Sequence, residues 1–205
     1  MVFMFETKNL LKQQLHEVEL WHGFLPEADF SEAENFPRLV SIQHQVNFEL
    51  WHQEDLARDP EVSDSIIAEV KRTIDVFNQR RNDLIEQMDQ FLLNIINAEN
   101  VKNNDETEMN SETPGSMIDR LSINALKIYH MDEEVQREEV TAEHRNKCAA
   151  KLSILREQRH DLEQCLTKLL ADLSSGEKRL KVYQQMKMYN DENLNPVLYR
   201  KAETR

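Results

Sequence analysis

Apolar residues recur along this chain at helical spacing, in stretches separated by short polar breaks. Between Ser65 and Ala98 they fall at Ile67, Val70, Ile74, Phe77, Leu84, Met88, Phe91 and Ile95, spaced 3, 4, 3, 7, 4, 3 and 4. This is a heptad seam sustained over one long helix, with one polar member in its gap, Arg81. A second long helix, from about Thr141 to Ser174, carries Cys148, Leu152, Leu155, Leu162, Leu166, Leu169 and Leu173. Its gap also holds an arginine, Arg159, and Gly176 supplies a helix stop.

Shorter patterns fill the rest. A helix from Glu6 to His22 ends at Gly23 and Pro26, and a loop rich in acids and phenylalanines runs from Phe24 to Phe36. Pro37 suits the first turn of a helix reaching about Arg58. Asp59-Pro60 breaks it, and Ser63 or Asp64 can cap the next. Residues 99–113 read as a polar exposed loop. Thr113-Pro114 then opens a helix whose first half is apolar on nearly all sides, the pattern of an inner helix. The spacing also predicts a short sixth helix from Glu177 to Tyr189, an extended tail from 190 that packs back, and a frayed end from Arg200 to Arg205. The expectation is an all-α, elongated bundle of five to six helices, two of them long and heptad-patterned, forming one domain over residues 1–205.

Composition narrows this further. With 3 glycines and 5 prolines in 205 residues, a β-rich fold lacks its turn residues, and no glycine-rich phosphate loop is available. The net charge of −13 argues against nucleic acid and anionic membrane surfaces as partners. No run of 18 apolar residues spans a bilayer, and the Met1–Glu6 start lacks the pattern of a secretory signal. Cys148 and Cys165 lie about 25 Å apart on one helix and cannot pair within the chain. These features suit a reducing, cytoplasmic setting.

Candidate chemistry lies where polar residues occupy core-facing positions. Asn47, Trp51, Glu54 and Arg58 are spaced 4, 3 and 4 and share one helix face beside an apolar stripe. Such a face builds either a polar pocket with an apolar wall or a half-buried tryptophan with solvated neighbours. Arg81 and Arg159 must be paired or solvated. They either fix register through buried ion pairs or clamp a phosphate or carboxylate ligand, with Asn78 and Asn82 adding hydrogen-bonding capacity.

Three segments have Glu-x-x-His spacing, ending at His22, His52 and His160. Di-iron bundles use it, but it is cheap in so acidic a chain, and no metal ligands are assigned. Glu54, Asp55, Glu86 and Asp89 could share a Mg²⁺ ion as in helical pyrophosphohydrolases. For acid–base work the pairing of His52 with Glu54 or Asp55 is the best available.

Several of these segments resemble a bacterial family, domain of unknown function 4254. The resemblance rests on Leu50–Arg58, Asn78–Asp83, Pro114–Ser122, Ile128-Tyr129-His130-Met131 and Lys187–Asp191. It implies a cytoplasmic helical protein associated with cell-envelope sugar assembly and brings no reaction or cofactor with it. It points at Trp51, His52, Glu54, Asp55, Arg58, Arg81, Asn82, Asp119 and Arg120. The leading expectation is a site between the second, third and fourth helices for a small anionic or sugar-like ligand, held by Arg58, Arg81 and Arg120 with Trp51 as wall. The alternatives are a Mg²⁺-dependent phosphoanhydride hydrolase and a non-catalytic accessory to a glycosyltransferase. The long seams also offer surfaces for a homodimer.

Overall fold

The computed structural model describes residues 3, 5–24, 33–184, 186, 188, 191 and 193–199. Five long helices make an all-α bundle: α1 (Thr7–Gly23), α2 (Phe36–Leu56), α3 (Asp64–Ala98), α4 (Pro114–Gln136) and α5 (Ala142–Ser175). Short connections join α2 to α3 and α4 to α5 as helical hairpins, and α1 packs on α2, α4 and α5. No described helix is long and apolar enough to cross a membrane.

Local chemistry sets the helix ends. Asn35 accepts from the Arg38 amide, with Pro37 in the first turn of α2, and Thr113 accepts from the Ser116 amide, with Pro114 opening α4. Thr141 caps α5 in the same way through the His144 amide. Each side-chain oxygen satisfies an amide that the helix leaves unpaired. Gly176 turns the chain after α5 in the left-handed region, φ 79°.

The α5 seam is buried at Cys148, Leu152, Leu166, Leu169 and Leu173 and half-buried at Leu155 and Leu162, with Arg159 itself buried. The α3 seam holds at Val70, Ile74, Leu84 and Met88, but Leu92 and Ile96 then replace Phe91 and Ile95 as the buried positions. A straight 3.6-residue helix drifts off a 3.5 repeat in this way. The most enclosed helix is α2: every residue from Leu39 to Phe48 is buried, including Ser41, Gln43, His44, Gln45 and Asn47.

The chain after α5 departs from expectation. Residues 177–184 are not helical. Arg179 pairs with the 99–113 loop instead: its amide donates to Glu108 O, its Nε to Thr107 O and its guanidinium to Asp105, and an isolated bridge links it to Met109. Those anchors hold the segment against the 99–113 loop, and Leu180 packs against the main core without a helix. Pro196–Tyr199 forms one helical turn (α6) rather than an extended strand, started by the Asn195 side chain accepting from the Val197 amide. Leu194 and Val197 are 51% and 67% exposed, so these two do not pack back. The expectations for Pro26, most of the Phe24–Phe36 loop and the 200–205 end fall outside the described residues.

Candidate functional site

The two seam arginines meet different partners. Arg81 Nε donates to Asp119 Oδ1 at 2.7 Å, and its Nη2 pairs with Asp119 Oδ2. Gln43 Nε2 (2.7 Å) and Asn47 Nδ2 (2.9 Å) also donate to Asp119 Oδ1. The aspartate is thereby fully engaged at the α2–α3–α4 junction. Among the described residues Arg159 forms no ion pair with a carboxylate, although Glu163 acts on it electrostatically. It donates to Leu121 O (2.8 Å), Leu11 O (2.7 Å) and Gln14 Oε1 (3.3 Å), stapling α5 to α1 and α4, and burial lowers its pKa to about 10.

A buried relay joins the two. Asn47 Nδ2 also donates to Ser122 Oγ (2.8 Å), Ser122 meets His44 Nδ1 (2.6 Å), and His44 Nε2 meets the Gln14 carbonyl (2.9 Å). A carbonyl only accepts, so Nε2 carries the proton. Burial pushes the His44 pKa down to about 3, so the ring is neutral at pH 7. Nδ1 therefore accepts from the Ser122 hydroxyl. Gln43, His44 and Ser122 were missed by periodicity, which reads polar residues as solvent-facing.

Beside Arg81 lies a cleft of about 330 Å³, lined by Asn47, Leu50, Trp51, Glu54, Asp55, Arg58, Asn78, Arg81, Ile123 and Leu126. Seven of the sequence-derived site residues thus share one cavity. Asp119 sits beneath it, reached through Arg81; the two side chains are 5% and 27% exposed, respectively. Arg58 lies on the rim, paired with Glu54 at 2.8 Å, and both are solvent-accessible.

The other expected members are elsewhere. Asn82 does not line the cleft. Arg120 is on the outer face of α4 and makes a two-pronged pair with Glu112 at 2.7 and 2.8 Å. His52 does not line the cleft either; its ring packs on Phe48, His22 and His130 at centroid distances of 4.5, 5.2 and 5.9 Å. Of the expected acid–base set, Glu54 and Asp55 line the cleft and His52 does not, although Asp55 acts electrostatically on His52. The four carboxylates of the Mg²⁺ reading form no common cluster among the described residues. Asp89 instead accepts from the Gly115 amide at 2.7 Å, in a buried contact between α3 and α4.

The imidazoles were not expected to converge. His22 lies in the last turn of α1, His52 just before the last turn of α2, and His130 comes from α4. One ring nitrogen from each lies within 4.8 Å of the others. Tyr129 stacks on His22 (4.0 Å, 18°) and Trp51 on His130 (4.8 Å, 8°). Burial, then repulsion from the other two rings, lowers the His52 pKa. Two of the three Glu-x-x-His histidines thus do meet, without forming a cluster with Glu19 or Glu49, and His160 lines a separate cleft between α1, α4 and α5. The available signal for the third was His130 within Ile128-Tyr129-His130-Met131.

A sequence model of the family described as "Protein of unknown function (DUF4254)" matches residues 37–182, from the start of α2 to beyond α5. The chain belongs to that family. The match spans Trp51, Arg81, Asp119 and two of the three clustered histidines, while His22 precedes it. No curated protein and no solved structure matches the chain.

Proposed function

We propose that the cleft between α2, α3 and α4 binds a small hydroxyl-rich, sugar-like ligand, in a bacterial, cytoplasmic protein of cell-envelope glycan assembly. The setting is carried over from the family resemblance. The observation supporting the ligand class is the bidentate Arg81–Asp119 pair under a Trp51 wall. A free guanidinium in the cleft would favour an anion. Here two guanidinium nitrogens are taken by a carboxylate, and Glu54 and Asp55 offset Arg58. What remains is an apolar indole wall among paired donors and acceptors, which suits neutral hydroxyls. The volume is at the small end of ligand sites, which run to roughly 300–1,000 Å³. An anionic substituent on the ligand would sit at the Arg58 rim, where water and a cation are both available.

Titration calorimetry with free hexoses, sugar phosphates and nucleotide sugars tests this. The expected result is saturable binding that survives 0.5 M salt and falls at least about tenfold in Trp51→Ala, the loss of roughly one well-placed contact. Binding that follows inorganic phosphate alone and collapses with salt would make the cleft an anion clamp instead. No saturable binding from any of the three classes, or binding indifferent to Trp51→Ala and Asn78→Ala, would sink the proposal.

A further inference from the structure

The histidine cluster asks for an occupant. His22 Nδ1 lies 2.8 Å from the Val18 carbonyl, so Nδ1 donates there. His130 Nδ1 lies 2.9 Å from a Glu133 carboxylate oxygen and donates likewise. With both Nδ1 positions protonated, each neutral ring has its lone pair on Nε2. The Nε2 atoms of both rings are buried and make no hydrogen bond. Buried polar atoms without partners are uncommon and costly. Two in one cluster, each on a ring whose other nitrogen is held by an oxygen, repeat the outer-shell arrangement of metal-bound histidines.

We propose that His22, His52 and His130 bind one first-row divalent cation of the zinc type, with a fourth position open to water or another ligand. The ring spacing agrees. Three imidazoles on a tetrahedral ion at about 2.0–2.1 Å place their ring centroids about 5 Å apart. The observed separations are 5.0, 5.2 and 5.9 Å, and the rings are steeply inclined to each other at 75°, 69° and 81°. The donor nitrogens, within 4.8 Å of one another, must close to about 3.3 Å, a shift that small side-chain rotations supply. Three nitrogens and no thiolate favour zinc, nickel or copper over magnesium or calcium.

The surroundings support the assignment. Phe48, Tyr129 and Trp51 enclose the rings with aromatic surface, and Glu133 bonded to His130 supplies compensating negative charge. Access is available because His130 itself lines an outer pocket beside Lys127 and Ile154. The ion would join α1, α2 and α4, which meet here through side chains alone. The site goes beyond the sugar-like cleft and does not depend on it, although Trp51 borders both.

The test uses the full chain, stripped with chelator and titrated with Co²⁺ and Zn²⁺. Expected are one equivalent bound per chain, the visible absorption of tetrahedral cobalt, and its displacement by zinc. His52→Ala and His130→Ala each abolish the cobalt spectrum while circular dichroism stays helical. Glu133→Gln, which keeps a hydrogen-bond acceptor but loses the charge, weakens zinc by about 10- to 100-fold. His144→Ala serves as control, because Glu134, His144 and Cys148 form a second potential ligand group. The proposal is overturned if neither ion binds at one equivalent. It is equally overturned if binding persists in the folded His52→Ala/His130→Ala double variant, or disappears with His144→Ala.

Discussion

Arg81 grips both carboxylate oxygens of Asp119 across the α3–α4 interface, and Asn47 and Gln43 donate to the same carboxylate from α2. Three helices are thus referenced to one buried anion. Arg81→Ala leaves Asp119 buried without its cation, and the expected cost is about 3 kcal/mol, read from urea unfolding midpoints. Arg81→Met combined with Asp119→Asn should cost less than the sum of the two single changes, since each single variant strands a partner. Additive losses would mean that the pair is not coupled.

His44 makes the fold sensitive to acid. Its folded pKa of about 3 lies below the unfolded value near 6.5. Its contribution is fully present above the unfolded pKa and is lost as pH falls from there toward 3, at about 1.4 kcal/mol per pH unit. His44→Gln should remove this rise of stability with pH between 4 and 6, so that the variant's profile tilts downward with rising pH relative to the native chain. An unchanged slope in denaturant melts over that range would count against a neutral buried His44.

Asp89 acts with the opposite sign. Burial raises its pKa to about 6. That contribution is present below its unfolded pKa and lost as pH rises through 6. Between about pH 4 and 6 it opposes the His44 slope, so Asp89→Asn should make the native acid profile steeper and His44→Gln should expose the reverse trend. The same contact explains Gly115. A Cβ there would lie 2.7 Å from Ile85 O and 2.8 Å from Asp89 Oδ1. Gly115→Ala should therefore cost about 1–3 kcal/mol by forcing α4 off α3, visible as a lowered Tm.

Arg159 serves three acceptors on two helices with one planar fork. A lysine keeps the charge but reaches fewer of them from a shorter, tetrahedral head. Arg159→Lys should destabilise by about 1–3 kcal/mol despite conserving charge, measured by chemical denaturation. A neutral outcome would show that charge alone matters at this position.

The helices and the two polar gaps were legible because apolar spacing reports burial directly: Val70, Leu84, Leu152 and Leu166 lie where their period puts them. The cleft was largely legible too, because Asn47, Trp51, Glu54 and Arg58 share a helix face by arithmetic. Arg120 was misread because its neighbours are apolar, while its own direction from α4 is outward to Glu112. Three features could not be read from spacing. The polar run Gln43-His44-Gln45 is buried because α2 is covered on every side, which depends on where the other helices go. The meeting of His22, His52 and His130 depends on how three helix axes cross. Residues 177–184 carry helical spacing, but the anchors of Arg179 on the 99–113 loop decide their path.

The relay through Asn47, Ser122, His44 and Gln14 admits only one assignment of its protons, because it ends on a carbonyl. Changing Asn47, Ser122 or His44 alone therefore leaves a neighbour facing a group of the wrong polarity, whereas Gln14 takes part through its backbone carbonyl. Such a string resists piecemeal drift: its members must be inherited together or exchanged as a set for apolar residues, so their joint presence in another chain would mark common bundle geometry more sharply than any shared apolar stripe.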